Sequence, residues 1–140
     1  MKFGEVVALL EANGWSLART DGSHRQLRHP SKSGTVTVAG KASKDIPPGT
    51  LQHPEAGGTQ MSAPAEVVMN YAIVIERSAN GYGAYVPDLP GCAVVGDTEA
   101  EVRSLIRKAI QMHIEALVED QLQVPEAVSR VEYVEVPHAA

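Results

Sequence analysis

The chain has 140 residues, a formal charge of −5 and a single cysteine, Cys92. One cysteine excludes an internal disulfide framework, and no run approaches the ~18 apolar residues of a membrane-crossing helix. Charge is uneven: residues 1–50 hold seven Lys/Arg and four Asp/Glu (+3), residues 51–68 two Glu (−2), and residues 69–140 five Lys/Arg and eleven Asp/Glu (−6), as in a basic, polyanion-facing part joined to an acidic part that can mask it.

Phe3, Val6, Val7 and Leu10 recur at helical spacing, and Asn13-Gly14 stops that helix. Trp15–Thr20 and His24–His29 read as two strands of a hairpin. Asp21-Gly22 makes its turn, because glycine tolerates positive φ there. Thr35–Ala39 is a third strand, so the first unit is α-β-β-β. Residues 40–68 hold Pro47, Pro48, Pro54, Pro64 and several glycines with no sustained period, and read as linker. Tyr71–Arg77, Gly83–Val86 and Cys92–Val95 are three further strands. Asn80-Gly81 turns the first pair, and Pro90-Gly91 fits the centre of a type II turn. Thr98-Glu99-Ala100-Glu101 is a capping box. The helix it opens carries Val102, Leu105, Ile106, Ala109, Ile110, His113 and Leu117 on one stripe and runs to about Gln121. Val131–Val136 is a last strand, giving β-β-β-α-β. The expected class is α+β in two small units. One lysine followed by an amphipathic pattern is not a secretory signal, so a cytoplasmic location is expected.

Alternation along the second strand puts Leu27 inward with Arg25 and His29, and turns His24, Gln26 and Arg28 to the opposite, outer face. An imidazole titrates near neutrality and can take a proton from the 2′-hydroxyl of RNA. Arg25, Arg28 and Lys32 are the cations available for phosphate. The bland alternative is an inert surface histidine beside a turn.

Asn13-Gly14-Trp15, Asp21-Gly22-Ser23-His24-Arg25-Gln26, Gly34-Thr35-Val36-Thr37-Val38 and Asp45-Ile46-Pro47-Pro48-Gly49-Thr50-Leu51 together resemble the HicA family of mRNA interferase toxins, over residues 1–51. The resemblance implies a fold like a double-stranded-RNA-binding domain, with His24 catalytic, Gly22 and Ser23 shaping its turn, and mRNA as substrate. HicA-like chains continue into a last helix reading Ile-Leu-Lys-Gln-Ala-Gly. Here Gln52-His53-Pro54-Glu55-Ala56-Gly57-Gly58-Thr59-Gln60 stands instead. One back-translation of that text, read one base later, gives Asn-Ile-Leu-Lys-Gln-Ala-Gly-Leu. The hypothesis is a frame change that removed the last helix and the stop codon, fusing the toxin to the gene behind it. Silent codons incompatible with the shifted reading would remove it. Residues 1–51 are then a truncated toxin unit, expected to fold poorly alone and to be inactive, and residues 52–68 a frameshifted linker.

Tyr71–Glu76, Asn80-Gly81-Tyr82-Gly83-Ala84-Tyr85-Val86-Pro87-Asp88-Leu89-Pro90-Gly91-Cys92 and Gly96–Glu101 closely resemble the HicB family of antitoxins, as do Ala109-Ile110, His113 and Val131-Glu132-Tyr133-Val134. The match covers residues 69–136. It implies a partial ribonuclease-H-like fold, a HicA-like toxin as partner, and dimers or higher assemblies. Glu76, Asp88 and Asp97 do not form the convergent carboxylates of a metal-dependent nuclease, so no metal or cofactor is expected. His113 reads as a packed or hydrogen-bonded residue at the core edge, and the helix acids as a solvated face. The segment ending Pro137-His138-Ala139-Ala140 does not resemble the DNA-binding tail of many HicB-like proteins, so operator binding is not expected. The leading expectation is an antitoxin fused behind an inactive toxin remnant. The alternatives are an endoribonuclease using His24 and silenced in cis, and a DNA-binding autorepressor.

Overall fold

The computed structural model describes residues 1–52 and 70–138. The elements run α1 (Phe3–Ala12), β1 (Ser16–Asp21), β2 (His24–Arg28), β3 (Val36–Ala39), α2 (Pro48–Gln52), β4 (Val74–Ser78), β5 (Gly81–Tyr85), β6 (Cys92–Gly96) and α3 (Glu99–Glu119). The class is α+β, and both hairpins and both long helices lie where the sequence puts them. Gly22 holds φ +62° in the first hairpin turn. Gly91 holds φ +86°, with Cys92 N–H donating to Leu89 O at 3.2 Å, which is the type II turn expected at Pro90-Gly91.

The six strands form one sheet in the order β1-β2-β3-β6-β5-β4. Each unit contributes an antiparallel meander, and the two join through a parallel pairing of β3 with β6, Thr37–Ala39 alongside Cys92–Val94. Thr37 N–H also donates to Gly91 O at 2.7 Å, so the type II turn itself serves the joint.

Helices cover the sheet on both faces. On one, α1 packs Phe3, Val6 and Leu10 onto Leu27, Val36 and Val38, and Val95 of β6 completes the cluster. On the other, Val102, Ile106 and Ala109 of α3 pack onto Ala84, Val94 and Cys92, and Ala39 of β3 joins them. Each core thus borrows a residue from the other unit. Burial of Cys92 pushes its thiol well above the ordinary range, which fits the inert core role expected of it.

Two expectations change. Residues 41–52 are not slack linker. Ile46 and Thr50 are buried, and Gly49 N–H, Thr50 N–H and the Thr50 hydroxyl donate to the Glu76 carboxylate of β4. The acid thus receives the free amides that a helix N-terminus leaves unpaired. The linker and frameshifted text, apart from Gln52, lie outside the described residues. The strand expected over Val131–Val136 is not formed. The chain leaves α3, is tied by Tyr71 Oη donating to Pro125 O (2.6 Å) and by Ser129 donating to Asp88, and then runs extended. Strand pattern needs an edge to pair with, and among the described residues this segment pairs with no strand. Burial and the Asp88 charge push the Tyr71 phenol up to about 12. Among the described residues, no helix is long and apolar enough to cross a membrane.

Candidate functional site

The alternation read from the sequence is correct: His24, Gln26 and Arg28 share one face of β2, opposite Leu27. The expectation that this face is outermost is not. Helix α3 lies across it, and His24 is 4% exposed and Gln26 2%. His24 Nε2 is 2.8 Å from the backbone carbonyl of Leu105 in α3. A carbonyl only accepts, so Nε2 carries the proton in this arrangement and cannot serve there as a base. Gln26 Nε2 donates to Met112 O (2.8 Å) and to Thr37 Oγ1 (3.0 Å), and Thr37 Oγ1 is 2.7 Å from His113 Nδ1. Mid-helix carbonyls have a second lone pair beyond their helical bond, so Leu105 and Met112 accept these donors without unwinding α3.

A ring of ion pairs surrounds this contact. Arg28 Nε meets Asp120 at 2.9 Å, Arg19 meets Glu115 at 3.3 Å, and Asp21 meets Lys108 at 3.0 Å. Lys108 holds the Asp21 carboxyl below the usual carboxylate range, chiefly through that hydrogen bond. Glu115 and Asp120 are therefore not a purely solvated face, as expected, but cover the arginines beside His24. A second cluster ties the other end of the joint. Lys44 pairs with Asp97 and donates to Asn80 O, while Asn80 Oδ1 accepts from Asp45 N–H. Lys44 and Lys41 hold the Asp97 carboxyl low.

The expected phosphate-binding group does not assemble. Arg28 shares the face of His24. Arg25 pairs in register with Val38 on the α1 side of the sheet. Lys32 lines a separate hollow of about 420 Å³ with Met1, Val6, Leu9, Leu10 and Trp15. Gly22 and Ser23 form the turn before His24. In the second unit, Glu76 accepts from α2, Asp88 from Ser129, and Asp97 from lysines. Among the described residues no group of three or more His, Cys, Asp or Glu is placed to hold a metal. His113 is buried and hydrogen-bonded, as read.

What the sequence reading missed is what meets this face: the carbonyls of Leu105 and Met112 and the charges of Lys108, Glu115 and Asp120. A signal was present. Residues 108, 112 and 115 recur at four- and three-residue spacing beside the apolar stripe that carries Leu105.

A basic unit whose histidine face is buried under a helix of an acidic unit is a two-part module, one part covering a polar face of the other. Comparison with known families gives the parts. Residues 3–53 match the model of the HicA toxin of bacterial toxin–antitoxin systems, and residues 71–138 that of the HicB-like antitoxin of such systems. A protein of the rep–hol intergenic region of Haemophilus phage HP1 is 39% identical over 69 residues, which are 49% of this chain and 52% of the phage protein. UPF0150 proteins of Synechocystis and Thermoplasma acidophilum are 35% and 36% identical over 66 and 58 residues, with 84% of each covered and 46% and 41% of this chain. The chain thus spans about half of the phage relative and most of the two shorter ones. It belongs to the HicA toxin family through its first unit and to the HicB-like antitoxin family through its second, as a HicA–HicB fusion.

Proposed function

We propose that this polypeptide is an antitoxin folded onto its own toxin remnant: the HicB-like unit is the working part, and the HicA-like unit is its silent, tethered occupant. The observation that carries the reading is His24 under α3, its Nε2 donating to Leu105 O. Phosphate reaches that imidazole only if α3 lifts, and Arg19 and Arg28 are meanwhile neutralised by Glu115 and Asp120. On this reading an intact HicA-like toxin offers α3 a face of the same chemistry, and it competes with a unit tethered at an effective concentration in the ~mM range.

The test is growth of cells making an intact HicA-like toxin together with this chain. Rescue is expected, and stronger rescue is expected from Gln26→Ala combined with Arg28→Ala, which loosens the tethered unit and leaves α3 unchanged. The reading fails if neither form rescues while the purified chain degrades RNA.

A second reading has support from the same face. His24 and Arg28 share that face, so on this second reading the first unit is an endoribonuclease acting on mRNA and held in cis. Glu115→Lys with Asp120→Lys should then release RNA cleavage, and adding His24→Ala should abolish it.

A further inference from the structure

The hydrogen bonds from His24, Gln26 and Thr37 to α3 all run the same way. His24 Nε2–H donates to Leu105 O at 2.8 Å, and one hydrogen of the Gln26 amide goes to Met112 O at 2.8 Å. The other Gln26 hydrogen goes to Thr37 Oγ1 at 3.0 Å. With that bond accepted, the Thr37 hydroxyl hydrogen has its own acceptor in His113 Nδ1 at 2.7 Å. In this row the first unit gives hydrogens and α3 takes them. Of the three acceptors on α3, two are backbone carbonyls, present whatever side chains the helix carries. Only the third, Nδ1 of His113, belongs to a side chain. It is therefore the member of the row that the second unit's sequence can set.

We infer that His113 is a specificity-determining residue of the antitoxin unit. It selects, as the occupant of this face, a toxin with a hydroxyl at the position of Thr37, and rejects one with an aliphatic or acidic side chain there. Gln26, Thr37 and His113 are at most 2% exposed, so solvent does not replace a missing donor. An aliphatic side chain leaves Nδ1 unpaired, and an acidic one sets acceptor against acceptor. Either loss is larger than the gain from making the bond, which is how a buried hydrogen-bonding site discriminates. The carbonyls of Leu105 and Met112 lose less when unmatched, because each is already bonded within its helix. Nor do the rim ion pairs supply this selectivity. Arg28 and Asp120 are half-exposed, and such a pair is screened and satisfied by any partner of opposite charge. The inference rests on the antitoxin reading and adds to it which toxins the unit accepts.

The test uses the full chain with Gln26→Ala and Arg28→Ala, which loosens its own first unit. Calorimetry measures its binding of a purified, intact HicA-like toxin in two forms, one with threonine at the position aligned with Thr37 and one with valine there. The threonine form should bind at least about tenfold more tightly, a difference of about 1.4 kcal/mol. Adding His113→Leu to the chain should abolish that preference. His113→Asn, which keeps an acceptor oxygen in place of Nδ1, should retain it. A merely structural role for His113 lowers affinity for both forms alike and leaves their ratio unchanged. In the chain by itself, Thr37→Val combined with His113→Leu should cost less in urea unfolding than the two changes summed. Equal affinity for the two toxins, an undiminished preference in His113→Leu, or additive costs overturn the inference and leave the antitoxin reading standing. Binding of neither form overturns both. Circular dichroism of each chain and toxin variant separates lost binding from lost folding.

Discussion

The two faces of the shared sheet are covered in different ways. Under α1 the contact is apolar: Phe3, Val6 and Leu10 meet Leu27, Val36, Val38 and Val95, and water is excluded for the ordinary hydrophobic gain. Under α3 the character changes along the helix. Against β5 and β6 it is a hydrophobic core. Against β2 and β3 it is a row of hydrogen bonds from His24, Gln26 and Thr37, rimmed by ion pairs. A buried polar row is costly unless every member is paired. A unit built only to fold would fill that surface with aliphatic side chains. On the proposed reading, the polar face is the surface through which a toxin-like unit meets its antitoxin-like cover.

The largest effect should come from the joint itself. Gly40 sits at φ +147°, and an added Cβ would fall 2.1 Å from Val95 Cγ2. Gly40→Ala should therefore cost more than about 2 kcal/mol in urea unfolding. Because each core borrows from the other unit, both halves should be lost in one transition. Two separate transitions would show the faces to be independent layers.

Val95→Ala removes a buried aliphatic side chain from the α1 face and should cost about 2 kcal/mol. Gln26→Ala on the polar face should cost about 1–2 kcal/mol, from lost bonds to Met112 and Thr37. Equal loss of amide protection in α1 and α3 after the second change would blur the distinction drawn between the faces.

Acid should act on the polar rim. The Asp21 and Asp97 carboxyls are held below 3.8 by their lysines. A lowered folded pKa means the unfolded chain binds the proton first, so the stabilisation is present above about pH 4 and is lost as pH falls below that. Falling pH should destabilise wild type more than Asp21→Asn with Asp97→Asn, measured by thermal melts; parallel curves would remove these pairs from the account. The smallest effect belongs to Arg28→Ala, at or below about 1 kcal/mol and shrinking with added salt, as for a half-exposed ion pair.

Local features were legible. The turn at Pro90-Gly91, the Thr98 cap with its oxygen accepting from Glu101 N–H, and the in–out alternation of β2 all follow from interactions within a few residues. The families followed too, because their motifs lie in those same turns and strands. The reading failed where a residue's partner is distant. Lys44, Asp45 and Glu76 were left as linker or isolated acids, since nothing near them in the chain announces Asp97, Asn80 or α2. Val131–Val136 has the composition of a strand, but composition says only that a strand would be favourable, not that an edge lies within reach.

The sequence by itself determined two small α+β units, their turns and caps, their opposite charge, and the placing of His24, Gln26 and Arg28 on one face. Only the tertiary structure decided that β3 and β6 join the units into one sheet and that α3 closes over His24. The reason is physical: periodicity is set by each residue's own backbone geometry, so it says which way a side chain points. What lies opposite depends on contacts between segments far apart in the chain, where an arginine or a buried histidine accepts any partner of the right charge, hydrogen-bonding sense and distance.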